Sequence, residues 1–139
     1  MDAPSLLILD PISLPLLGPV EAGFPSPATD YIETSLDLPK LLVRRKAATF
    51  FLRVKGSSMS PTIEDKDLLV VDKSIKAAHG DIVIAAMNGE FTVKRLYQRA
   101  GFVSLQPDNP NFNPILVEPS VDLEIWGVVT AIIRVSCSR

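Results

Sequence analysis

The chain has 139 residues, 47% of them apolar, and its 14 Lys and Arg against 16 Asp and Glu give a formal net charge of −2. That length suits one compact domain with a substantial core and excludes disorder throughout. The mild acidity, with a pI near 5.3, gives no overall attraction to phosphate backbones, so direct specific nucleic-acid binding is not expected.

The apolar residues near the N-terminus, Leu6 to Leu9 and then Ile12, Leu14, Leu16 and Leu17, are interrupted by Asp10, Pro11 and Pro15. A signal peptide needs an unbroken apolar stretch after a basic start, and a membrane helix needs about 20 apolar residues, so neither is expected. Seven of the 12 prolines fall in the first 39 residues, a density that resists helix and sheet interior alike. Residues 1–39 therefore read as an extended arm with one short helix around Tyr31–Leu38, and residues 40–139 as a globular body.

That body carries strand signals. Thr49–Lys55 alternates, Leu68–Asp72 is a short apolar run, and Ile82–Met87 is continuously apolar, like a strand covered on both faces. Asn88-Gly89 supplies the two φ > 0 residues of a tight hairpin turn into Phe91–Tyr97. Phe102–Gln106, Ile115–Val117 and Leu123–Val135 follow, the last split or bent near Gly127. The body reads as all-β, a curled antiparallel sheet.

The single cysteine, Cys137, excludes an internal disulfide, and with the single histidine, His79, it excludes a Cys/His zinc cluster. No metal or cofactor is expected, and a reducing, cytoplasmic setting fits. His79 lies in a turn, where a surface role is expected. The segment Gly56-Ser57-Ser58-Met59-Ser60-Pro61 places three hydroxyls on a glycine-loosened turn. Serines gather in turns because their hydroxyls bond nearby backbone, so a structural reading suffices for it. Lys94 lies in Phe91-Thr92-Val93-Lys94-Arg95-Leu96, on the face of Thr92 and Leu96 by strand alternation. A lysine on such a strand either snorkels to water or, held in an apolar setting, loses its proton and takes one from a serine. Composition and spacing leave both readings open.

Three segments carry a resemblance. Gly23-Phe24-Pro25-Ser26-Pro27-Ala28 with Asp30-Tyr31, His79-Gly80-Asp81-Ile82-Val83-Ile84-Ala85-Ala86, and Gly89-Glu90-Phe91-Thr92-Val93-Lys94 resemble, in one register from about Gly23 to Val129, the LexA/UmuD-like family of self-cleaving Ser-Lys proteases. Within it, they are most similar to the SOS mutagenesis proteins. The resemblance implies the LexA-like protease fold, Ser58 as nucleophile, Lys94 as general base, and the chain's own Ala22-Gly23 bond as substrate. Backbone N–H groups of Ser58 and Met59 would hold the oxyanion. It further implies a homodimer, cutting promoted by RecA filaments on single-stranded DNA, and a UmuC-type Y-family polymerase as partner of the shortened form.

The chain departs from its relatives at a few positions. Ala22 stands where UmuD-type proteins carry cysteine, Ser57 where many relatives carry an acid, and Lys66 replaces the glycine of an Asp-Gly-Asp turn, so that a different turn shape is expected there. A LexA-type self-cleaving regulator is the alternative. It would need a DNA-binding domain of roughly 60–80 residues ahead of the cut, whereas 22 residues precede Gly23, so that reading requires the chain to be a fragment. A signal-peptidase-like enzyme would need a membrane segment.

Overall fold

The structure is a computed structural model that describes residues 13–17, 32–137 and 139. The chain divides between Leu42 and Val43 into two compact units. In the first, β1 (Ser13–Leu17) and β2 (Ile32–Asp37) pair antiparallel, and α1 (Leu38–Leu42) follows directly. The helix expected around Tyr31–Leu38 is thus corrected: Ile32–Asp37 is strand, and the helix starts only at Leu38. Asp37 ends the strand and caps the helix, its Oδ1 accepting the Lys40 N–H at 3.2 Å. Pro39 sits in the first turn, where its missing N–H costs nothing. Pro15 lies within β1 because a two-stranded ribbon is all edge, the one sheet setting that tolerates proline.

The second unit is a seven-stranded sheet built from β3 (Thr49–Arg53), β4 (Leu68–Asp72), β5 (Ile82–Met87), β6 (Glu90–Arg99), β7 (Phe102–Gln106), β8 (Ile115–Val117) and β9 (Leu123–Ile133). All its pairings are antiparallel, in the order β3-β4-β9-β5-β6-β7-β8. The all-β antiparallel expectation holds. The last strand is not split at Gly127. It runs unbroken through two register shifts, one opposite Ile84/Ala85 and one opposite Val70/Val71, and such bulges bend a strand without ending it. Gly127 itself is required by close approach, since a Cβ there would meet Val71 Cγ1 at 2.6 Å.

Alternation on β5 divides the core. Ile84 packs with Val54, Met59, Ile63, Leu69 and Val71, while Val83 and Ala85 pack with Leu96, Leu105 and Val128. Asn88 and Gly89 close the β5–β6 hairpin with φ of 50° and 82°, as their sequence predicts. Met59 and Ile63, buried in the first cluster, pin the connection between β3 and β4 to the sheet. The hydroxyl-rich turn is therefore held by its own apolar residues.

Candidate active site

Ser58 stands in the loop after β3, and Lys94 is in the middle of β6. The loop leaves the sheet at Gly56, whose φ of 99° lies where only glycine is comfortable. The Gly56 N–H donates to Asp65 Oδ1 at 2.7 Å. The far side of the loop returns through Lys66, whose N–H donates to the Val54 carbonyl at 2.8 Å. Lys66 adopts a φ of 73°, so this turn keeps the left-handed geometry that glycine favours. The lysine bears its strain.

Lys94 Nζ lies 3.0 Å from Ser58 Oγ, 2.7 Å from Thr92 Oγ1 and 3.1 Å from the Val93 carbonyl. These two sequence-predicted residues, 36 positions apart in the chain, are thus brought into hydrogen-bond contact. The lysine is buried, with 9% of its surface exposed, and among the described residues it forms no ion pair. Burial without a compensating carboxylate pushes its pKa below the ordinary lysine value. Nζ can donate to all three oxygens as an ammonium, and the same geometry accommodates the neutral amine. Its two N–H bonds can go to Thr92 Oγ1 and the Val93 carbonyl, leaving the lone pair for the Ser58 hydroxyl proton. A cleft of about 290 Å³ opens beside the pair, with Val54, Ile84 and Phe91 among its lining residues.

The loop from β7 to β8 forms the other wall of the nucleophile turn, and sequence reasoning missed it entirely. Asn109 donates from its backbone N–H to the Ser58 carbonyl and from Nδ2 to the Ser57 carbonyl, each at 3.0 Å. Asp108 accepts both arms of the Arg95 guanidinium, at 2.9 and 2.7 Å, and the Thr62 hydroxyl at 2.6 Å. Arg95 reaches further, to the Gly80 carbonyl at 2.8 Å. The guanidinium holds the Asp108 carboxyl below its usual range, and Asp108 in turn raises Arg95. Met59 is buried in the core below. The only sequence signal for this wall was the turn-forming composition of Asp108-Asn109-Pro110-Asn111.

His79 is exposed in its turn and accepts the Gln98 N–H at Nδ1, 3.0 Å away, linking the approach to β5 with β6. Ala22 and Gly23, the expected cleavage site, lie outside the described residues. Among the described residues there is no helix long and apolar enough to cross a membrane.

Comparison with known proteins gives a consistent result. Residues 15–130 match the family model described as Peptidase S24-like. Protein ImpA of Salmonella typhimurium is 52% identical over 117 residues, covering 82% of this chain and 78% of that protein. Protein MucA of Escherichia coli is 50% identical over 113 residues, covering 80% and 77%. LexA repressor 1 of Geobacter sulfurreducens is 43% identical over 125 residues, covering 88% of this chain and 61% of the repressor.

Proposed function

The chain belongs to the Peptidase S24-like family as a UmuD-like SOS mutagenesis member, and we propose that it cuts its own Ala22-Gly23 bond with Ser58 as nucleophile and Lys94 as general base. Membership in that family carries self-cleaving serine protease activity. The observation that supports the assignment of roles is the 3.0 Å contact between Lys94 Nζ and Ser58 Oγ in a buried setting where, among the described residues, no carboxylate pairs with the lysine.

Neutral Lys94 takes the Ser58 hydroxyl proton as Oγ attacks the Ala22 carbonyl carbon. The carbonyl oxygen becomes an oxyanion, received by the N–H groups of Ser58 and Met59. Collapse breaks the C–N bond, and the Lys94 ammonium returns its proton to the departing Gly23 nitrogen. Water, deprotonated by the same lysine, then hydrolyses the Ser58 ester. Because enzyme and substrate share one chain, or two copies of it, proximity replaces diffusional encounter and a modest catalyst suffices. Removing the first 22 of the 139 residues leaves a product of 117.

In this reading the protein works in the cytoplasm as a homodimer. A RecA filament on single-stranded DNA accelerates the cut by favouring the competent conformer, and the shortened form joins a UmuC-type Y-family polymerase for translesion synthesis. The LexA-type regulator is the weaker alternative, since identity to ImpA and MucA is higher and covers more of their length. Intact-mass measurement of purified wild type and Ser58→Ala, with and without RecA, a nucleoside triphosphate and single-stranded DNA, tests the proposal. Wild type yields the 117-residue product and the variant stays whole in both conditions. Cutting of Ser58→Ala at Ala22-Gly23 would place the catalyst elsewhere.

A further inference from the structure

The peptide unit is planar and trans, so a carbonyl oxygen and the N–H of the next residue point in opposite directions from one rigid plane. The Ser57 carbonyl shares its plane with the Ser58 N–H, and the Ser58 carbonyl shares its plane with the Met59 N–H. Both of those carbonyls accept from one residue, Asn109, and the Ser57 oxygen also accepts the Ser60 N–H at 3.1 Å. Asn109 Nδ2 donates to the Ser57 oxygen and the Asn109 backbone N–H to the Ser58 oxygen, each at 3.0 Å. Gripping the two oxygens fixes the direction in which the two amides point.

Asn109 is itself over-determined. Its Oδ1 accepts the Asn111 N–H at 3.0 Å and its carbonyl accepts the Phe112 N–H at 3.1 Å. The first bond occupies the side-chain oxygen, which leaves the amide nitrogen for Ser57 and fixes the orientation of the group. The preceding residue, Asp108, is anchored to Arg95 and Thr62, as described above, and its N–H faces Met59 Sδ at 3.4 Å. The wall that holds Asn109 is thus tied to β6 one residue beyond Lys94.

We propose that Asn109 is a positioning residue for the oxyanion site, holding the Ser57-Ser58 and Ser58-Met59 peptide planes so that both N–H groups face the oxygen that gains charge. The inference rests on the reading of Ser58 as nucleophile. Preset donors contribute most where they need no reorganisation during reaction. Asn109 acts from behind the two planes and touches no reacting atom.

Asn109→Asp is the sharpest test, because the side chain keeps its size and the oxygen that accepts from Asn111 but loses the donor to Ser57. Asn109→Ala removes the donor without adding charge and serves as the second variant. Self-cleavage is followed by intact mass across pH, and Ser58 reactivity by labelling with a small fluorophosphonate. In that labelling Oγ bonds to phosphorus, fluoride leaves with the P–F electron pair, and Lys94 takes the hydroxyl proton. The phosphoryl oxygen then draws on the same two amides, and docking of the arm plays no part.

Both variants should lose about tenfold in cleavage and in labelling, less than the roughly 10²–10³-fold cost of deleting a donor outright. The midpoint of the pH profile should stay at the wild-type value, because Lys94 is untouched, and thermal melts should show both variants folded. Wild-type labelling in both variants, whatever their cleavage rate, would overturn the positioning role and leave the Ser58 reading intact. A shifted pH midpoint with an unchanged plateau would also overturn it, by showing that Asn109 acts on the base. Failure of the underlying reading is separately visible as continued cutting of Ser58→Ala.

Discussion

Lys94 and Arg95 are neighbours on β6 with the same formal charge and opposite surroundings. Lys94 is buried, faces only neutral oxygens among the described residues, and has its pKa driven down by burial. Arg95 turns to the other side of the strand, is met by a carboxylate on two bonds, and has its pKa raised chiefly by that contact. Strand alternation makes the division possible, since one step along the chain changes the face. A lysine is the residue whose proton can be removed by burial, whereas a guanidinium stays charged and matches a carboxylate in two-point geometry. In the proposed reading the site separates two tasks: one cation is made labile to move a proton, and the next is locked to hold the wall that carries Asn109.

The largest expected effect comes from making the first cation resemble the second. Lys94→Arg should lower self-cleavage by at least about 10³-fold, because guanidinium cannot give up its proton near neutral pH. Fragment mass spectrometry reads the result, and a wild-type rate would remove Lys94 from the mechanism.

A gentler change gives Lys94 a carboxylate neighbour. Thr92→Asp would place a carboxylate where a hydroxyl now lies 2.7 Å from Nζ. An adjacent opposite charge favours the ammonium, so the pH midpoint for cleavage should rise and the rate near pH 7.5 should fall about tenfold or more. An unmoved midpoint would mean that the profile reports some other group.

Removing the partner of the second cation should act on stability. Asp108→Asn forfeits the charge of the Arg95 contact and should cost about 1–2 kcal/mol, a figure kept low because Arg95 is partly solvated. The sign of its pH dependence follows from the depressed Asp108 pKa. The contribution is present above the unfolded carboxylate value, near 4, and is lost as pH falls through the lower folded value. Wild type should therefore lose more stability than the variant on acidification below pH 4, as denaturant titrations at a series of pH values would show. Equal slopes would contradict the assignment.

The smallest effect is expected at a residue that bonds to neither cation. Lys66→Gly relieves a positive φ at a residue whose backbone already forms a glycine-like turn, and should stabilise by about 0.5–1 kcal/mol after the entropy of the freer unfolded chain is deducted. A raised melting temperature with an unaltered pH midpoint is the expected result. A lowered one would show that the Lys66 side chain contributes contacts that outweigh the strain.

The strands of the second unit were legible because their signals are local. Asn88-Gly89 needs only two residues to specify its turn, and Ile82–Met87 reads as covered on both faces without knowledge of what covers it. The first unit misled because proline density was read as excluding sheet. The Ser13–Leu17 and Ile32–Asp37 pairing uses an edge, where proline is admitted. For the site, composition left Ser58 and Lys94 open between structural and catalytic readings, and a resemblance in Thr92-Val93-Lys94 supplied the register that distinguished them. Asn109 and Asp108 were legible only as turn formers, not as a wall of the site. Their partners are backbone carbonyls and residues 13 to 52 positions away, and a bond to a carbonyl asks nothing of the partner's side chain, so it leaves no pattern to read.

The central claim, that a neutral Lys94 activates Ser58 against the chain's own Ala22-Gly23 bond, is tested most directly by the rate of spontaneous cleavage of the purified full chain across pH 6 to 10, followed by intact mass. The account predicts a rate that rises with pH through a single midpoint below the value near 10.4 of an unperturbed lysine and then levels off. The product should be 117 residues long and begin at Gly23. A rate that is flat across this range, or a product beginning elsewhere, would contradict it.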